Sequence, residues 1–171
     1  MTSDERILAD LADRIHNRFY GKYRGAVTAV DSDTLRIKAH VPAVLGSTPT
    51  GWCLACVPYA GNGVGLFLLP DVGAAVWIEF EGGDVSYPIW SGCFWRDGEL
   101  PDDASPTTRG LVTSAGHKLL LDDNAESVTM SDSNGGSVAF DSSGVTTTRG
   151  GQILAVGSAS VNVNNGALEV R

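Results

Sequence analysis

Cys53 and Cys56 stand in a C-x-x-C spacing, Cys93 follows further on, and the histidines are His16, His40 and His117. A structural zinc site needs four converging ligands, and no second C-x-x-C is present. The pair lies in a strand-like run, where residues three apart point to opposite sides. Burial as small apolar residues is the better reading of these thiols, and in a cytoplasmic protein no disulfide is expected. Ser114, His117 and Asp122 or Asp123 contain the residue types of a hydrolytic triad but no nucleophile elbow. Gly61-Asn62-Gly63-Val64-Gly65 is glycine-rich but lacks the Lys-Ser/Thr pair and following helix of a phosphate loop, so it reads as a turn. Asp102-Asp103 and Asp122-Asp123 read as solvated loop charges. The expectation is a chain with no catalytic, cofactor-binding or metal site, and no enzyme activity.

The elements around these residues fall into segments. Residues 3–20 predict a helix, with Ser3 as N-cap, Asp4 and Glu5 in the first turn, and Gly21 as the stop. Ile7, Leu11, Ile15 and Phe19, with Leu8 beside them, form one apolar stripe. It either packs on its own domain or docks on a partner. Residues 23–96 predict a compact β domain with strands at 23–30, 34–41, 52–57, 65–69, 75–80 and 88–95, separated by Gly-, Asn-, Asp- and Pro-rich turns. Leu35, Ile37 and Ala39 alternate with Arg36, Lys38 and His40, which suits a small barrel or sandwich. All but one of the thirteen aromatic residues lie in the first 95, so the conventional core is here. Residues 97–109 are polar, with two prolines, and read as a linker.

Residues 110–171 are different in kind. Short alternating runs occur at 118–122, 127–131, 137–141, 144–148, 152–156, 160–164 and 167–171. Taking Leu120, Val128, Val138, Val145, Ile153, Val161 and Leu168 as their centres gives steps of 8, 10, 7, 8, 8 and 7 residues. A regular short period marks a repetitive β architecture. Each strand has an apolar face that needs cover, and neither a following helix nor a second apolar set of strands supplies it. Three copies wound about one axis, pairing strands between neighbouring chains, cover that face and remove lateral edges. A single-chain β-solenoid and a disordered Gly/Ser-rich tail are the other readings.

Charge narrows the partners. Residues 1–24 carry five basic against four acidic side chains, residues 25–98 three against seven, and residues 99–171 four against nine, for a net charge of -8. Nucleic-acid binding draws on phosphate-neutralising Lys and Arg, and attachment to anionic lipid needs the same groups. A single-stranded nucleic-acid-binding barrel is therefore the weaker alternative. No run approaches the roughly 18 apolar residues of a membrane span. The N-terminus has no cationic-then-apolar signal, so synthesis in the cytoplasm is expected.

The segment from Gly25 to Trp95 resembles the OB-fold domain of central spike proteins in contractile phage tails and of VgrG proteins in type VI secretion. The matching pieces are Gly25 to Asp31, Leu35 to Pro42, and Trp52 leading into Pro58-Tyr59-Ala60-Gly61-Asn62-Gly63-Val64-Gly65. Leu69-Pro70-Asp71-Val72-Gly73 then precedes a strand ending Phe80-Glu81-Gly82-Gly83-Asp84, and Tyr87-Pro88-Ile89-Trp90-Ser91-Gly92 closes the set. The tail, from about Gly116-His117-Lys118-Leu119, resembles the same family's triple-stranded β-helix. With the N-terminal helix (1–22) and the linker (97–109) read from the residues, the resemblance implies a mainly β fold with a five-stranded OB barrel (23–96) and an intertwined trimeric β-helix (110–171). It implies a homotrimeric structural spike of a contractile, phage-tail-like particle, attached to the hub by its OB domain and helping to pierce the target envelope. Inner tube and baseplate proteins are implied partners, with transient contact at the target membrane. Relatives carry hub-like regions, lysozyme-like insertions or a His-x-His iron-binding apex, none of which occurs here. A separate hub subunit and a PAAR-like tip protein at the 167–171 end are the corresponding expectations.

Overall fold

The computed structural model describes residues 3–170. The chain divides into two compact units, Met1–Gly98 and Glu99–Arg171. No helix among the described residues is long and apolar enough to cross a membrane.

The first unit opens with helix α1 (Ser3–His16). The side chain of Ser3, the expected cap, lies outside the described residues. The helix stops four residues short of the expected end because Phe19 is drawn elsewhere. Its N–H donates to the Gly83 carbonyl at 2.8 Å, and its ring stands edge-on to Tyr23 and Phe80 at 6.2 and 6.4 Å. Gly83 has φ +76°, and a Cβ there would lie 3.0 Å from the Phe19 nitrogen. Only glycine admits this close approach.

Strands β1 (Tyr23–Val30) and β2 (Ile37–His40), helix α2 (Pro42–Leu45), and strands β3 (Leu54–Ala55), β4 (Ala60–Gly61), β5 (Val64–Gly65), β6 (Ala75–Phe80) and β7 (Pro88–Cys93) follow. The main sheet runs β2-β1-β6-β7-β3, and β4 and β5 form a separate hairpin. Strand β3 lies parallel to β7, and Cys53, just before it, bridges to Ile37 of β2. These contacts curl the sheet towards closure, as an OB barrel requires. Val27, Ile37, Ala39, Val41, Cys53, Val76, Ile78, Phe80 and Trp90 fill the interior. Among the described residues Thr50 is the buried polar one, and its Oγ accepts the Ala39 N–H at 3.0 Å.

Two strand expectations fail here. Leu35 sits at φ +53° in the turn before β2 and is exposed, while Ile37 and Ala39 are fully buried as the alternation requires. Within 65–69, only Gly65 is in a strand; residues 66–69 run as an apolar loop.

The second unit contains β8 (Thr108–Val112), β9 (Lys118–Asp122), β10 (Ser127–Ser131), β11 (Ser137–Asp141), β12 (Gly144–Arg149), β13 (Gln152–Val156), β14 (Val161–Val163) and β15 (Leu168–Val170). They form one antiparallel sheet in sequence order. In the single chain each strand thus pairs with its sequence neighbours, and β8 and β15 each keep one side without a strand. Three turns use the same device: Asp122, Asp132 and Asp141 accept the N–H groups of Asn124, Asn134 and Ser143 at 2.9, 2.8 and 2.7 Å. Such Asx turns fix where one strand ends and the next begins.

Candidate assembly surface

Partners in an antiparallel sheet share a face, so the register sorts the tail side chains into two ladders. Leu121, Val128, Phe140, Val145, Val156, Val161 and Val170 are successive partners from β9 to β15. Beside them run Leu111, Leu119, Met130, Val138, Thr147, Leu154, Val163 and Leu168. One whole face is therefore apolar except at Thr147 and near its ends, at Arg109, Arg149 and Gln152. Most of it is exposed in the single chain, Met130 at 60% and Phe140 at 51%. The opposite face carries the row Gly110, Leu120, Thr129, Ala139, Thr146, Ala155 and Asn162, which is mainly small or polar.

Leu120 and Ile153, expected at the apolar centre, lie on this second face; the other five expected centres lie on the first. Leu111, Leu119, Leu121, Met130, Phe140, Leu154, Val156, Val163 and Val170 are the apolar residues of this face that the expected centres omitted. Their sequence signal is the apolar doublet at i and i+2, repeated in Leu119/Leu121, Val128/Met130, Val138/Phe140, Leu154/Val156, Val161/Val163 and Leu168/Val170. A contiguous apolar face of this kind marks an interaction surface.

Among the described residues, those with chemical potential are not gathered into one site. Cys53 is fully buried in the barrel core, where burial pushes its thiol pKa up, and Cys56 and Cys93 are exposed free thiols. The buried reading therefore holds for Cys53 and fails for the other two. Cys53 bridges Ile37 where the barrel closes, whereas Cys56 follows the end of β3 and Cys93 is the last residue of β7. His117 Nδ1 faces the Ser133 N–H at 3.4 Å, Asp122 is used by its turn, and Asp123 pairs with Arg109 at 2.7 Å. Each candidate carboxylate of the triad is thus occupied within the fold. Asp103 pairs with Lys118 at 2.6 Å, and Gly61–Gly65 forms the β4–β5 hairpin. Among the described residues no group of three His, Cys, Asp or Glu side chains converges as a metal site. The exposed aromatics Tyr59 and Phe67 lie in a stretch, 39–70, that contains no Asp, Glu, Lys or Arg. A strand-binding OB surface couples stacking rings to cations; in this stretch the ring of the exposed Trp52 has the Lys38 ammonium over it at 4.8 Å.

Residues 23–95 match the family described as the type VI secretion system/phage-baseplate injector OB domain. Residues 110–169 match the family described as the phage baseplate V C-terminal trimerisation domain. No curated protein matches the chain.

Proposed function

We propose, from the premise that the chain belongs to the phage-baseplate spike and type VI secretion injector family, that it is the trimeric spike of a contractile injection particle. Its two domains are those of structural baseplate proteins, and the second is a trimerisation domain. In this reading the OB unit seats the spike on the baseplate hub, and the three tails form a stiff prism that helps breach the target envelope. The observation that carries the proposal is the exposed apolar face spanning β8 to β15. Three such faces turned to a common axis bury each other and leave the mainly small and polar faces to solvent, giving a narrow rod. The side of β15 without a strand partner is where we assign a tip protein, by strand addition.

The structural role is tested by mass and by assembly. The purified chain, 17.9 kDa as a monomer, is expected as a particle of about 54 kDa by light scattering. A monodisperse monomer at micromolar concentration overturns the reading. Electron microscopy of particles assembled with and without the chain tests its place. Density for the chain on the tube axis, beneath the hub, is expected, and density elsewhere overturns hub attachment.

A further inference from the structure

Among the described residues of the first unit, two exposed apolar surfaces differ in shape. One is the ridge of α1, where Ile7, Leu8, Leu11 and Ile15 are all exposed. The other is a groove of about 660 Å³ beside the β4–β5 hairpin, floored by Trp90 and Leu69 and rimmed by Tyr59, Leu66 and Phe67. Phe67 is 76% exposed. With ridge and groove both present on one chain, the helix does not occupy its own groove.

Three observations choose the occupant. A cyclic trimer closes through heterologous contacts, in which each copy presents two different, complementary patches. The ridge and the groove are such a pair, one convex and one concave, and no Asp, Glu, Lys or Arg lines the groove. Second, α1 is fixed to its barrel at its C-terminal side. Phe19 is held by Gly83, while Arg18 reaches the Gly82 carbonyl and the Asp84 carboxylate, both at 3.2 Å. The fourteen-residue helix, roughly 21 Å long, thus stands on a fixed base, and an isolated helix of that length is marginal in water without a covering partner. Third, an axial coiled coil is poorly encoded. Leu8, Leu11 and Ile15 fit a heptad seam, but α1 ends at His16 and so holds about two heptads, short of the three to four that a coiled coil sustains.

We propose that in the trimer each copy lays α1 into the hairpin groove of the next copy's barrel, clasping the three OB units in a ring. This rests on the trimeric reading above. The test uses the full chain with C56S and C93S, adding L11C and F67C together or singly, followed by mild oxidation. The expected result is a trimer by light scattering and covalent dimers and trimers on a non-reducing gel only when both new cysteines are present. A trimer with no cross-link, a link confined to one chain, or cross-linking by L11C alone overturns the clasp and leaves the trimer standing. A monomer by light scattering overturns the trimeric reading itself, and the clasp with it.

Discussion

Val128 and Phe140 are direct partners across β10 and β11, and both side chains stand exposed on the same face. Such a pair stabilises a sheet only when it is dry. Phe140→Asp is therefore expected to dissociate the trimer, since burying a phenyl group is worth about 2–3 kcal/mol and the loss recurs in all three copies. Thr129→Asn, one residue along β10 but on the opposite face, is expected to leave the mass unchanged. Light scattering of the two variants at equal concentration checks this. Equal masses for both would break the assignment of faces.

Gly144 opens β12 at φ +135°, and a Cβ there would lie 2.1 Å from the Val156 carbonyl oxygen. Gly144→Ala must shift the β12–β13 backbone and hold a left-handed residue, at a cost of about 2–4 kcal/mol. Gly150 also has positive φ, +54°, but opens onto free space, so Gly150→Ala is expected to cost only about 1–2 kcal/mol. Chemical denaturation of the tail transition separates the two. A Gly150 variant as unstable as the Gly144 variant would show that φ alone governs.

The strands of the tail were legible because alternation and turn residues repeat; their phase was not. Leu119-Leu120-Leu121 is a continuous apolar run, and period-two reading cannot say which phase faces inward. The pairing of Leu119 with Met130 decides it, and that is a property of register. Ile37 and Ala39 were readable in the barrel because their neighbours are charged or polar. Leu66 to Leu69 misled because an apolar run without a strand partner looks like a strand in sequence. The end of α1 was hidden for a related reason: Phe19 continues the helical stripe but is held by Gly83, Tyr23 and Phe80, contacts across more than sixty residues in two of the three cases.

Asp132 links the β10–β11 turn to β12. One carboxylate oxygen accepts the Gly136 and Asn134 N–H groups, each at 2.8 Å, and the other is held by Arg149. Hydrogen bonds from these two N–H groups, then Arg149, hold its pKa below the ordinary 3.8. Asp141 is lowered too, first by its Ser143 hydroxyl. A carboxyl depressed in the folded state stabilises it above the unfolded pKa and loses that contribution as pH falls through the folded value. Tail stability is therefore expected to hold from pH 7 to about 4 and to decline below. Asp132→Asn should lower the denaturation midpoint at pH 7 and have less effect at pH 2–3. An equal effect at both pH values would remove the carboxylate charge from the account.

Cys53 tests barrel closure. Its N–H donates to the Ile37 carbonyl at 2.8 Å, its Sγ lies 3.3 Å from the Thr50 hydroxyl, and its side chain is fully buried. The seam between β2 and β3 rests on these contacts and on the adjoining Thr50 N–H to Ala39 carbonyl bond of 2.8 Å. A thiol reagent is expected to modify the exposed Cys56 readily in the native protein, Cys93 more slowly because partial burial raises its pKa, and Cys53 only at the rate of barrel opening, because full burial and a raised pKa suppress its thiolate. Cys53→Ala removes the sulfur from a filled core and should cost about 1–2 kcal/mol. Mass spectrometry after timed labelling reads the three thiols separately. Rapid native modification of Cys53 would mean that the β2–β3 seam opens locally, and that the barrel behaves as an open sheet in solution.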